Sequence, residues 1–251
     1  MPYDRRGYSL IELPVAVAAI AIIAVLSLLA IASNRGVGAR AASERAERRS
    51  NLKQIGIALA QYADDHGRYP PAFTVDADGR PLHSWRTLIL PSFDQAALAA
   101  KIDLSTPWDS PTNAEYAKMQ PLGYASERLP GLAGPHAATG YVAVVGPGRL
   151  VQRPGDAATD DPADRSRHIA VVEQVTERPI PWMAPRDLTP ADLADIDEEL
   201  IESELQGVVT VLLSDGTVLQ VQPSALRDLA AFEESLNLES LNRESLNREK
   251  W

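Results

Sequence analysis

Between Leu13 and Ala32 the chain has twenty consecutive residues without a charge, and a single carboxylate, Glu12, stands at the edge of that run. At about 1.5 Å per residue, such a run makes a helix of about 30 Å, the thickness of a bilayer's hydrocarbon core. The run therefore predicts a membrane-spanning first element. A secretory signal peptide flanked by Arg5 and Arg6 is the competing reading, but its apolar region should last only about 7–15 residues before a small-x-small cleavage site. Charge does not settle the orientation. Arg5 and Arg6 precede the run, while Arg35, Arg40, Arg45, Arg48, Arg49 and Lys53 follow it, offset only by Glu44 and Glu47.

Helix-forming sequence continues past the apolar run. Gly36 and Gly38 weaken it, after which ARAASERAERRSNLKQIGIALAQYADDHG is rich in good helix formers. Leu52, Ile55, Leu59 and Tyr62 recur at three- and four-residue spacing, a stripe for one face of a domain to cover. The spacing predicts one long N-terminal helix, apolar all round in its first half and amphipathic in its second, ending near Gly67 before Tyr69-Pro70-Pro71.

The remaining residues suffice for one domain with a genuine core. A net charge of −10 argues against a nucleic-acid partner. The basic stretch 35–53 instead suits membrane lipid headgroups or acidic neighbours in an assembly. With no cysteine in the chain, a disulfide framework, a cysteine zinc site and a thiol nucleophile are all excluded.

The segment Gly7-Tyr8-Ser9-Leu10-Ile11-Glu12-Leu13, followed by an apolar run, resembles the processing site of type IV prepilins and of type II secretion pseudopilins. The resemblance implies that a prepilin peptidase cuts after Gly7 and that the new amino terminus, Tyr8, is methylated. It also implies that Glu12 pairs with the N-terminal amine of a neighbouring subunit during filament assembly. A carboxylate in hydrocarbon is costly unless paired, so this partner accounts physically for Glu12.

Further phrases resemble a large family of prepilin-type proteins of unknown function found in planctomycete-like bacteria. They include Asn51-Leu52-Lys53-Gln54-Ile55-Gly56, His66-Gly67-Arg68-Tyr69-Pro70-Pro71, His83-Ser84-Trp85-Arg86 and Pro107-Trp108-Asp109-Ser110-Pro111-Thr112-Asn113. Tyr141 to Gly148, Val171-Val172-Glu173, Trp182 to Leu188 and Ser214-Asp215-Gly216-Thr217 follow in the same order. The implied fold class is α+β and pilin-like: a long N-terminal helix, transmembrane in its first half, packed on an antiparallel β-sheet. The implied organisation is a leader at 1–7, a transmembrane helix segment at 8–33, its amphipathic continuation at 34–67, an ectodomain at 68–230 and a low-complexity tail at 231–251. The expected location is the cell inner membrane, single-pass, with a cytoplasmic N-terminus and a periplasmic or otherwise extracytoplasmic ectodomain.

Within the ectodomain, TGYVAVVG and HIAVVEQV read as strands, and VVTVLLSDGTVLQVQ as a hairpin turning at Asp215-Gly216. We expect Val209, Val211, Leu213 and Val218 of this hairpin to cover the Leu52/Ile55/Leu59 stripe. Tyr69 to Asn113 reads as irregular sequence around a short helix, with a turn at Asp78-Gly79. Thr189-Pro190-Ala191-Asp192 is a helix start, leading into Leu193, Ile196, Leu200 and Leu205 opposite a dense acidic face. Asp156, Asp160, Asp161 and Asp164 lack EF-hand spacing and read as a solvated loop. The terminal ESLNL-ESLNR-ESLNR repeats every five residues, which on a helix turns successive leucines by about 140°, so a fraying helix or a disordered tail is expected.

No catalytic constellation is visible. His66, His83, His136 and His168 are dispersed, and the nucleophile-elbow and phosphate-loop patterns are both missing. No cofactor or metal is implied. The expectation is a non-enzymatic structural subunit of a pilus or secretion-type filament, partnered by prepilin peptidase, other pilin-like subunits and membrane lipid. A membrane-anchored binding module for a glycan or envelope component, and a tethered enzyme, are the alternatives.

Overall fold

The computed structural model describes residues 12–119, 121, 123–125, 136–156, 167–173, 179–196 and 207–248, with side chains from residue 39 to residue 238. The chain divides into two units, Met1–Ala46 and Glu47–Trp251. Helix α1 (Glu12–His66) continues through Gly36 and Gly38 and supplies the described part of the first unit. Among the described residues no helix is long and apolar enough to cross a membrane, and the side chains of the 13–32 run lie outside those described.

The second unit is mixed α+β with antiparallel sheets. After α1 come a small hairpin of β1 (Phe73–Val75) and β2 (Pro81–Ser84), helix α2 (Trp85–Leu88) and helix α3 (Ala96–Ala99). Asp76 Oδ1 accepts from the amides of Asp78 and Arg80 and closes the turn at Gly79, whose φ of 79° a side chain would resist. β3 (Ala138–Thr139) pairs with β6 (Ile180–Pro181). The main sheet joins β4 (Tyr141–Ala143), β5 (Ile169–Glu173), β7 (Val209–Leu213) and β8 (Val218–Val221), in that order. Its first helix cover after β6 is α4 (Pro190–Ala194), whose start matches the sequence expectation. Thr189 Oγ1 accepts from the Asp192 amide, and the Asp192 carboxylate accepts from the Thr189 amide. The acidic residues 197–204 expected to follow lie outside the described residues.

Both faces of this sheet are buried, and the two faces belong to different cores. One core packs Leu52, Ile55, Ala58 and Leu59 of α1 against Tyr141, Ala143, Val171 and Leu212, together with Trp85, Ile89 and Trp182. The other packs Val142, Val172, Val209, Val211 and Leu213 against Leu193, Leu226, Leu229 and Leu236. The register shifts between Ile169 and Val171, a bulge that sends Ile169 to the second core and both Ala170 and Val171 to the first.

This arrangement corrects the expected seam. Val209, Val211 and Leu213 turn away from α1, and Leu212 makes the contact instead, with Val218 packing on the same core as expected. Val-Val-Thr-Val-Leu-Leu is apolar at both parities, so alternation does not mark which parity faces the helix. Of the two readings of the tail the helix is the one observed, and the departure from expectation is that its first copy packs. α5 (Pro223–Arg227) is followed by α6 (Leu229–Arg248), and Leu236 of the first repeat is only 7% exposed. The second face of the hairpin is apolar because this helix covers it.

Candidate functional site

Of the residues expected to carry function, Gly7 and Tyr8 lie outside the described residues, and Glu12 is the first residue of α1 with its side chain outside those described. The structure does show how the helix that follows them is fixed to the body. Gly56 lets α1 approach the sheet closely: a Cβ there would stand 3.0 Å from Cδ1 of Leu212. Beside this apolar seam, Arg48 Nε lies 2.9 Å from Glu173 Oε1, both side chains being almost wholly buried. Glu173 Oε2 also accepts from the Thr210 amide, which joins helix, β5 and β7 through one carboxylate. Asn51 Nδ2 donates to the Tyr141 hydroxyl one turn further on. Burial drives the Tyr141 phenol far above its usual range, so it stays a neutral partner. Arg48 thus leaves the group of cations expected to face lipid.

A second polar centre holds the body itself together. Arg86, at the start of α2, is fully buried and places its donors on five acceptors. Nε donates to the Trp182 carbonyl at 2.9 Å, Nη1 to Asp187 Oδ1 at 2.7 Å and to the Tyr141 carbonyl at 3.4 Å. Nη2 donates to the carbonyls of Ala184 and Arg186 at 3.1 and 2.9 Å. Asp187 Oδ1 accepts in addition from Trp85 Nε1 and from the Ala143 amide, each at 2.9 Å. Burial pushes the Asp187 carboxyl upward, and the Arg86 charge and these donated bonds oppose it. Tyr124 Oη donates to the Arg86 carbonyl and stacks on Phe93.

Three phrases noted separately in the sequence, His83 to Arg86, Tyr141 to Ala143 and Trp182 to Asp187, therefore meet at one guanidinium. Their contact is invisible in the sequence, because nothing in one chain pairs residues about 100 positions apart. Arg86 sits between Trp85 and a Thr-Leu-Ile-Leu run, and a charge inside so apolar a phrase was the available signal. Chemically the centre is closed. Its donors are committed to backbone carbonyls and one carboxylate, and neither Arg86 nor Asp187 is open to solvent. Among the described residues no group of three His, Cys, Asp or Glu side chains is placed to hold a metal.

Residues 38–196, more than half of the chain, match a family described as proteins of unknown function, DUF1559. The chain belongs to that family. The DUF1559 match takes in Arg48, Arg86, Glu173 and Asp187, so both polar centres lie inside the family's span, whereas the β7–β8 hairpin and α6 lie beyond it. Gly7, Tyr8 and Glu12 precede the DUF1559 region, and the prepilin-type resemblance rests on the sequence around them. No curated protein and no solved structure matches the chain.

Proposed function

We propose that this protein is a non-enzymatic, pseudopilin-like subunit of a pilus or secretion-type filament, held in the inner membrane by residues 8–33 with its body outside the cytoplasm. The observation that carries the reading is the run Gly7-Tyr8-Ser9-Leu10-Ile11-Glu12 before an uncharged stretch, on the chain that continues as α1. The same helix is fixed to an antiparallel sheet at its other end by Arg48, Asn51 and the Leu52/Ile55/Leu59 stripe, so a pull on the helix is passed to the body through buried contacts. Prepilin peptidase is the processing partner in this reading, and other pilin-like subunits are the assembly partners.

Co-expression with a prepilin peptidase should remove seven residues and leave a methylated Tyr8, and Gly7→Ala should block the cut. Glu12→Ala should leave processing intact and reduce cross-linked multimers, because the carboxylate's counter-charge comes from another subunit. Retention of residues 1–7 by intact mass in the native host would overturn the reading.

A further inference from the structure

The face of α1 turned away from the sheet has an order that the fold does not use. Arg49, Lys53, Ile57, Ala60 and Asp64 are all exposed and follow one another at spacings of four, four, three and four residues, a single stripe along a helix. Ile57 is 64% exposed, the most open large apolar side chain among those described. Arg49 and Lys53 stand at adjacent turns and repel each other, and neither they nor Asp64 make an ion pair among the described residues. Asp65 is exposed beside Asp64 and accepts a hydrogen bond from Gln61. At about 100° per residue, Asp64 continues the stripe of Arg49 and Lys53, with the two cations toward its N-terminal end and Asp64 toward its C-terminal end, and Asp65 stands beside Asp64 about a quarter-turn or more round the axis.

We propose that this face is a contact between copies of the chain, with Arg49 and Lys53 of one copy set against Asp64 and Asp65 of the next. The inference rests on the filament reading and adds its register. Cations lie toward the N-terminal end of the stripe and aspartates toward its C-terminal end, and the filament reading sets every copy the same way round in the membrane, so the contact is head-to-tail, and repeated it propagates instead of closing into a pair. Cations and anions are 11–16 residues apart, so parallel helices meeting this way are offset along their axes by about 17–24 Å. Ile57 lies between the two charged ends of the stripe and is covered by the neighbour, which removes its apolar surface from water. Such pairs are exposed at their rim, so the contact weakens as salt is raised.

The absence of cysteine makes the test direct. In the full chain, processed in its native host, Lys53→Cys and Asp64→Cys are introduced together. These positions lie about 16 Å apart on one helix, too far for a bridge within a chain, so any disulfide joins two copies. We expect a ladder of linked multimers. Asp64→Lys with Asp65→Lys in an otherwise unaltered chain should remove most multimers trapped by an amine-independent cross-linker, and adding Arg49→Asp with Lys53→Asp should restore them. Multimers that depend on Glu12, with no disulfide ladder from the Lys53→Cys, Asp64→Cys double variant, would overturn this contact and leave the filament reading standing. No multimers under any condition would overturn both. A homotypic bridge formed by Ile57→Cys in place of the mixed ladder would overturn the head-to-tail register in favour of a closed antiparallel pair.

Discussion

His83 is wholly buried on β2, with one ring nitrogen engaged and the other bare. Nε2 donates to the carbonyls of Thr106 and Asp103, at 2.8 and 3.2 Å, while Nδ1 has no partner. Burial holds the imidazole below its usual range; the carbonyl bonds and the Asp103 charge oppose that and lose. The folded state therefore keeps His83 neutral, whereas the unfolded chain takes up a proton near pH 6.5. Stability from this site is complete above that value and is lost as pH falls below it toward the depressed folded value. We expect the protection of the 103–113 amides, taken relative to the intrinsic exchange rate at each pH, to fall from pH 7 to pH 5, and His83→Gln, which keeps a donor near Nε2, to flatten that dependence. Equal protection at both pH values in the unaltered protein would refute it. Asp187 gives the companion test at this scale. Asp187→Ala leaves a fully buried guanidinium without its counter-charge, a loss of about 3–5 kcal/mol by urea unfolding, and Asp187→Asn should cost less because it keeps an acceptor at the position of Oδ1.

At the scale of elements, the C-terminal helix decides which part of the tail matters. Glu233 Oε1 accepts from Arg149 Nη1 at 2.6 Å and from the Ile169 amide at 2.8 Å, and Asn237 Oδ1 accepts from the Arg167 amide at 2.7 Å. With Leu236 in the core beside them, the first copy of the repeat is fastened to the start of β5. Removing residues 239–251 should leave the melting midpoint nearly unchanged, while removing 233–251 should lower it strongly, since a buried leucine alone is worth about 2–5 kcal/mol. Equal effects from the two truncations would mean that the later copies pack as well. The same elements separate what the sequence shows from what it hides. The α1 stripe, the Thr189 cap and the Asp215-Gly216 turn were legible because each is written in neighbouring residues. The face of β7 was not, because both its parities are apolar, and the five-residue period hid a helix whose first copy docks. Arg48, Glu173, Arg86 and Asp187 stand in recognisable phrases, but their pairing is a property of the folded chain.

At the scale of the molecule, the division of the chain predicts that the body is independent of what precedes it. None of residues 39–47 is buried, and among the described residues both hydrophobic cores begin at Leu52 or later. A chain starting at Ala39 should therefore fold, with a melting midpoint within the about 2–4 °C that 1 kcal/mol moves a domain of this size. It should also fail to sediment with membranes. Arg48→Ala in that shorter chain is the internal control: it removes the counter-charge of a buried carboxylate, and the penalty of about 3–5 kcal/mol should appear with no membrane or partner present. Should the shortened chain melt far below the full one, residues before Ala39 would belong to the stability of the body as well as to its attachment. Should Arg48→Ala prove neutral, the Leu52/Ile55/Leu59 seam with Gly56 against Leu212 would be holding the helix by itself, and the ion pair would serve only to set its register on the sheet.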